Sequence, residues 1–589
     1  MKKLIIYCST FFLSLTCSAQ YYLRGEVKDE QNRPLQNAKI YLHSAKFLFN
    51  SGIQGSFGIT VRELYDSITL SLDGYETKSL KVKTDTWQTI VLKVSAAHAT
   101  KNKQKLISVT KNMQQTSKYN WFVNDETYFQ LVENQFVECD KYPNTGFSLN
   151  VNKSSYSNVR RFLNMKSTVP PDAVRVEEMV NYFNLYYTEP SPNETFHISS
   201  QLTSNPWNDK EQLLFLNISA KKLDLDAIPP GNFVFLIDVS GSMDMPNRLP
   251  LLKAAFQSFV KNLRPIDTMS IVMYGGTVGV WLQPTSGAEK EMISKSIEEL
   301  TAQGDTPGES AIRAAYKLAE SSFIKGGNNR IILATDGDFN VGETSEKAMD
   351  ELITKMRQTG VYLTCLGVGM GNFKDSKLQT LAKKGNGNYA YLDDIHEAEK
   401  VLVQELTQTF YAVANDVLMN VQFNASMVKE YRLVGFDNKR EAIADETNDL
   451  EGGEIGSGNS TLAVFEIVPT EHLHSNKAGV EEAIAHLQLN YSSLNDTIML
   501  KIQHTVPNNY LPFESIHKDL QFATVVSMLA LKLKQSSYVN GIDWLTINLL
   551  AQQVVNKNDY LQNEFLKLLE KVQKIYPEKK NKKTKVRTS

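Results

Sequence analysis

The chain has 589 residues, 42% of them apolar and 22% charged, with 63 Lys and Arg against 65 Asp and Glu and a formal net charge of -2. A single core rarely grows past ~250–300 residues, so several domains are expected. The charge balance excludes a chain-wide electrostatic attraction to nucleic acid or anionic lipid. The dense basic run Lys579 to Arg587 reads as a solvated tail.

Residues 1–19 read as a signal peptide. Lys2 and Lys3 form its charged start, Leu4 to Leu15 its apolar core, and Cys17-Ser18-Ala19 the small residues before a cut at Gln20. The apolar stretch falls short of the ~20 residues of a membrane span. After its removal no transmembrane segment is expected, and the chain would reside in the periplasm, at the outer-membrane surface or outside the cell. Lipidation at Cys17 would call for Leu and a small residue where Ser14 and Thr16 stand. Cys8 and Cys17 leave with the signal. Cys139 and Cys365, the latter inside the apolar run VYLTCLGVG, read as two unpaired thiols.

Residues 20–95 alternate apolar and polar positions in RGEVKD, AKIYLH, DSITLSL and SLKVK, which predicts a small β-domain. Asn32-Arg33-Pro34 and Gly55-Ser56-Phe57-Gly58 read as its breaks. The pattern G-x-V-x-D-x-x-x-x-P-L-x-x-A from Gly25 to Ala38, with DGYET from Asp73, resembles the carboxypeptidase regulatory-like domain. That resemblance implies a seven-stranded β-sandwich with no active site of its own. Residues 96–117 are polar and Lys-rich, as in a linker.

Residues 118–195 form an aromatic block in which VRVEEMVNYF places Val176, Met179, Val180 and Phe183 on one helical face, after the start signal Pro170-Pro171-Asp172. Residues 196–231 and 411–515 read as strands with loops, among them HISSQLT, QLLFLNIS, LMNVQFN, TLAVFEIVP and AHLQLNYS. Between them, residues 232–410 alternate strands with amphipathic helices. The simplest account is an α/β domain inserted into a β-sandwich whose flanking strands pair. Residues 516–576 read as helical, with Phe522 to Leu531 buried and Phe565, Leu568, Leu569 and Val572 on one face; residues 577–589 are the basic tail.

The inserted domain opens with the apolar run FVFLI, followed at once by Asp238-Val239-Ser240-Gly241-Ser242. A helix is expected from Leu249 to Leu263, then the strand SIVMY and a helix around Lys290 to Leu300. Gly304-Asp305-Thr306-Pro307-Gly308 precedes a helix from Glu309 to Phe323, and the strand RIILA ends in Thr335-Asp336-Gly337. A helix near Lys347 to Gln358, the strand VYLTCLGVG and a last helix to Phe410 complete a doubly wound, mostly parallel sheet. Sites in such folds lie beyond the carboxyl ends of the strands. Asp238, Ser240, Ser242, Thr306 and Asp336 therefore bring oxygen-bearing side chains from three loops to one sheet edge. Carboxylates and hydroxyls suit a hard divalent cation: magnesium first, manganese or calcium as alternatives. The positive end of the helix that follows the serines would favour an arriving anion.

D-V-S-G-S at Asp238, Thr306 within G-D-T-P-G and Asp336 within T-D-G resemble the complete metal-ion-dependent adhesion site of von Willebrand factor A domains. The resemblance implies that Ser240, Ser242 and Thr306 touch the metal directly and that Asp238 and Asp336 act through water. An Asp or Glu carboxylate of a protein or peptide partner would complete the shell. SLNVNKSSYSNVRRFLN with PPDAVRVEEMVNYF, EYRLVGF and EIGSGNSTLAVFEIVP resemble the flanking domains of a bacterial A-domain family. That family often carries aspartates where this chain has Asn150 and Asn152.

Other patterns fail. His396-Glu397 lacks the second histidine of a zinc helix because position 400 is Lys. His472 and His474 read as loop residues, and Asp445 to Glu454 as a solvated acidic loop. Gly453 to Gly458 is not a dinucleotide fingerprint. Asp305 and Asp338 sit beside the metal loops, as exposed turn residues or as tuners of charge. The expected function is adhesion-type binding without catalysis. The alternatives are a structural envelope component or a metal-assisted hydrolase, which would need a nearby general base.

Overall fold

The computed structural model describes residues 21–93 and 126–577, except 31, 53, 73–74, 127, 129–130, 225–227, 276, 304–307, 338–351, 371–373, 437–452, 472, 474–481, 494–497 and 540. The signal segment, the linker core and the basic tail thus lie outside the described residues, as do Thr306, Asp305, Asp338, His472 and His474. The chain divides after Ser95 into two compact units.

The first unit holds β1 (Tyr21–Asp29), β2 (Lys39–Leu42), β3 (Phe47–Asn50), β4 (Ser56–Val61), β5 (Tyr65–Ser71), β6 (Lys78–Lys83) and β7 (Trp87–Leu92). They form two sheets, in the orders β4-β1-β7 and β3-β2-β5-β6. Alternate side chains, Leu23 and Val27 of β1 and Ile68 and Leu70 of β5 among them, bury one shared core. Of the run Gly55-Ser56-Phe57-Gly58, expected as a break, Gly55 turns the chain with φ +67, but Ser56 to Gly58 start β4. Phe57 is buried and pairs opposite Gly25, so core burial outweighs the turn-like composition of its neighbours. The resemblance of this unit to the carboxypeptidase regulatory-like domain lies in its sequence pattern alone.

The second unit opens with β8 (Val137–Glu138), β9 (Asn144–Ser148), α1 (Ser154–Asn164), α2 (Val176–Asn181), β10 (Phe196–Ser204) and β11 (Gln212–Ala220). The α/β domain follows: β12 (Gly231–Asp238), α3 (Leu249–Asn262), β13 (Thr268–Gly275), β14 (Thr277–Ser286), α4 (Lys290–Glu298), α5 (Gly308–Ser321), β15 (Asn328–Thr335), β16 (Val361–Val368) and β17 (Tyr389–Leu392). After it come β18 (Ala412–Phe423), β19 (Val428–Val434), β20 (Gly453–Gly456), β21 (Ser460–Pro469), β22 (Ala485–Ser492), β23 (Met499–Val506) and β24 (Tyr510–Leu511).

The central sheet runs β14-β13-β12-β15-β16-β17, parallel except for β14. Chain order steps outward from β12 on one side and from β15 on the other. The switch point of the doubly wound fold therefore falls between those two strands. Successive residues of β12 feed opposite faces: Phe233, Phe235 and Ile237 join the core under α3, while Val234 and Leu236 join the core under α5. The edge strand β14 and the short β17 were not anticipated. Nor is the helix ending at Phe410 continuous. It runs Ile395–Glu399, widens to a π-helical turn over Lys400–Gln404 and resumes at Leu406–Phe410. In the wider turn Lys400 Nζ meets Glu405 Oε1 at 2.9 Å, and Lys153 reaches the same oxygen at 3.1 Å.

Strands from either side of this domain do pair. β11 lies antiparallel to β21, within one sheet ordered β24-β10-β11-β21-β19-β8. The facing sheet is β20-β18-β22-β23, with β9 also on β18. The sandwich thus begins before residue 196, because Cys139, Phe147 and Leu149 complete its core. The block 118–195 and the C-terminal region are likewise not separate layers. α1, α2 and the helices Lys518–Leu533, Trp544–Val554 and Tyr560–Ile575 share one core, with Val180, Tyr182, Phe522 and Phe565 inside it. Cys139 and Cys365 are both buried and unpaired. Glu454, expected in a solvated loop, is buried and pairs with Arg330 of β15 at 2.9 Å. No helix among the described residues is long and apolar enough to cross a membrane.

Candidate metal centre

Two of the three candidate metal loops leave strands at the switch point. Asp238 is the last residue of β12, Ser240 and Ser242 lie in the turn that follows, and Asp336 comes directly after β15. The structure brings these four side chains together. Ser240 Oγ lies 3.2 Å from Ser242 Oγ, and Ser242 donates to Asp336 Oδ2 at 2.8 Å. Asp238 accepts the Ser240 backbone N–H at 2.9 Å and the Thr335 hydroxyl at 2.8 Å. Thr306 is not placed, since residues 304–307 are outside the described ones. On its near side, Gln303 N donates to the Val239 carbonyl at 2.5 Å, which ties that connection to the Asp238 loop.

The electrostatics suit a cation. Asp238 is fully buried and Asp336 nearly so. Burial pushes the Asp238 carboxyl up to about 6, although hydrogen bonds from Ser240 and Thr335 work the other way. The charged form is thus held at a cost that a nearby positive charge would offset. Two carboxylates and two hydroxyls form a hard oxygen donor set, which fits magnesium, manganese or calcium better than a softer ion. Among the described residues no group of three or more His, Cys, Asp and Glu side chains is placed to hold a metal ion by itself, so the hydroxyls are needed to complete the donor set.

The helix α3 does not follow the serines at once. Met243 to Arg248 intervene, and Arg248, not a metal ligand, caps the helix start. Sequence reasoning missed Arg248, Thr335 and Gly275. Arg248 did carry a signal, because a cation directly before a helix opposes its dipole and points to a local demand. Asn152 accepts the Tyr389 backbone N–H at 3.2 Å and so braces β17. Glu397 of the failed zinc pattern is instead buried on Arg160 at 2.7 Å.

Gly275, at the end of β13, fits between two of the loops. A Cβ there would stand 2.5 Å from the Gln303 carbonyl oxygen and 2.7 Å from the Val239 carbonyl carbon, both backbone atoms. Gly275→Ala is therefore expected to cost about 1–3 kcal/mol, the range for forcing atoms into a packed interior. Urea unfolding of wild type and variant checks this; an unchanged midpoint would show that the loops yield freely.

Comparison with known proteins gives three family matches: "von Willebrand factor" over residues 122–215, "von Willebrand factor type A domain" over 232–408, and "Uncharacterized protein YfbK, C-terminal" over 408–575. YfbK of Escherichia coli (strain K12) is 36% identical over 468 residues, covering 75% of this chain and 80% of that protein. Inter-alpha-trypsin inhibitor heavy chain H2 of Mesocricetus auratus is 29% identical over 209 residues, 34% of this chain and 21% of that one. A solved von Willebrand factor type A structure from Catenulispora acidiphila overlaps with a TM-score of 0.40 at 14% identity, over 65% of this chain and 91% of that chain. That overlap is too weak to argue from.

Proposed function

The chain belongs to the von Willebrand factor type A protein family that includes Escherichia coli YfbK, and from that premise we propose that it binds a partner through a divalent cation held at Asp238, Ser240, Ser242, Thr306 and Asp336. One observation carries the reading: Asp238, Ser240, Ser242 and Asp336, from two distant stretches of chain, converge at the switch point of the sheet. Magnesium is the favoured ion. Once bound, it would supply an electrophilic position for an Asp or Glu carboxylate of a protein or peptide.

The committed state of both carboxylates favours binding over catalysis. Asp238 already accepts from Ser240 and Thr335, and Asp336 from Ser242 and Arg248, so neither stands ready as a general base. The N-terminal signal pattern supports work at the cell envelope, with the β-units as spacers and docking surfaces. The experiment is a calorimetric titration of magnesium into wild type and Asp238→Ala. Wild type should take up one equivalent and the variant should bind at least about tenfold more weakly, a difference of ~1.4 kcal/mol. Equal uptake by both proteins would refute the assignment.

A further inference from the structure

The metal loops carry a cation of their own. Arg248 is only 6% exposed. Its guanidinium donates to Asp336 Oδ2 at 2.6 Å, to the Ser242 carbonyl at 2.7 Å and to the Met370 carbonyl at 3.0 Å. The turn after β16 is shaped around this side chain. Gly369 has φ +80, and a Cβ there would fall 2.6 Å from Arg248 Nε. The same turn is held from behind, where the Tyr391 hydroxyl donates to the Gly369 carbonyl. Arg161 of α1 lies 5.2 Å from the centre of the Tyr391 ring. Arg248 thus links the metal loops to a turn that the flanking helix also braces.

We propose that Arg248 is an internal competitor for Asp336, a fixed positive charge that weakens the site for any entering cation and so sets its affinity. The inference rests on the metal-binding reading above and concerns the regulation of that same site. Asp238 and Asp336 bring two negative charges, and Arg248 cancels one of them while holding Asp336 directly. A metal drawing on Asp336 must share it with the guanidinium and meet its repulsion between side chains that are almost fully buried, where water screens poorly. The arrangement yields a site that fills only at substantial magnesium concentration and loosens the Gly369–Met370 turn as it fills.

Two substitutions separate charge from shape. Arg248→Gln removes the charge and keeps a polar amide on a shorter stem, whereas Arg248→Lys keeps the charge and loses the planar fork. Magnesium chloride is titrated calorimetrically into the whole chain. Arg248→Gln should bind about tenfold more tightly than wild type, while Arg248→Lys should stay within about threefold of it. Unchanged or weaker binding by Arg248→Gln overturns the proposal, and so does equal tightening in Arg248→Lys. Should Arg248→Gln fail to fold, Arg248→Met removes the same charge and is read the same way. Failure of wild type itself to take up magnesium would instead refute the metal-binding reading, and this inference with it.

Discussion

Arg160→Met is expected to cost the second unit about 3–5 kcal/mol, because it strands buried carboxylates. Arg160 lies on α1 and is 2% exposed. Its guanidinium meets Asp393 at 2.8 Å, Glu397 at 2.7 Å, Glu564 at 2.9 Å and the Tyr182 hydroxyl at 3.1 Å. It therefore ties the flanking helix to the end of the α/β domain and to the last helix at once. Met fills similar space, so the loss measures charge more than packing. The effect should depend on pH in a defined direction. Burial already lifts the Asp393 carboxyl to about 7, and Arg160 is what holds it down. Without Arg160 the folded-state value rises further above the unfolded one. The folded variant then binds extra protons, and its deficit shrinks as pH falls. Urea unfolding at pH 8 and pH 5 should show the larger gap at pH 8. A gap that is equal at both, or below about 1 kcal/mol, would mean that these carboxylates are solvated in the folded chain.

Arg432→Met should be as damaging, by the same physics in a different place. Arg432 of β19 is 1% exposed, and Glu466 of β21 is fully buried against it. Glu133 lies 3.3 Å away on the other side, and the Tyr538 ring centre 3.8 Å above the guanidinium. Glu466 also accepts the Trp207 indole at 2.6 Å, and Glu133 the Ser536 hydroxyl at 2.6 Å. One side chain thus fastens the sandwich to the N-terminal flank and to the C-terminal helical layer. Its removal leaves two carboxylates without their counter-ion, at about 3–5 kcal/mol. Double substitution of Arg432 and Glu466 by apolar residues should recover much of that loss, since an apolar pair of similar volume is often no worse than a buried ion pair. Chemical denaturation of the single and double variants checks both statements. A double variant as unstable as the single one would show that the surrounding polar groups, and not the stranded charge, set the cost.

These two arginines mark where reading the chain in order stops being informative. α1 carries Arg160 and Arg161 side by side, and by helical period a charged pair reads as a solvent-facing edge. Both are buried, because carboxylates arrive from residues 126, 393, 397 and 564 to meet them. The same holds at the candidate metal centre. The order D-x-S-x-S, then T-D-G, is visible along the chain. That Arg248 reaches across to Asp336 is not, since nothing in the local pattern states which carboxylate a buried guanidinium will find.

The sequence by itself determined the elements and their class. Alternation with a period of two separated inward from outward residues in β1 and β5, the apolar runs of β12 and β15 announced buried parallel strands, and the oxygen-bearing side chains just past those strands marked the candidate site. Such features depend on neighbours within a few residues, so they survive in a linear reading. Only the tertiary structure decided that β8 and β9 belong to the sandwich and that helices near residues 160 and 520 share a core. It alone placed a guanidinium on Asp336. These are contacts between stretches far apart along the chain, chosen by which buried charges and apolar faces can satisfy one another once the chain has folded.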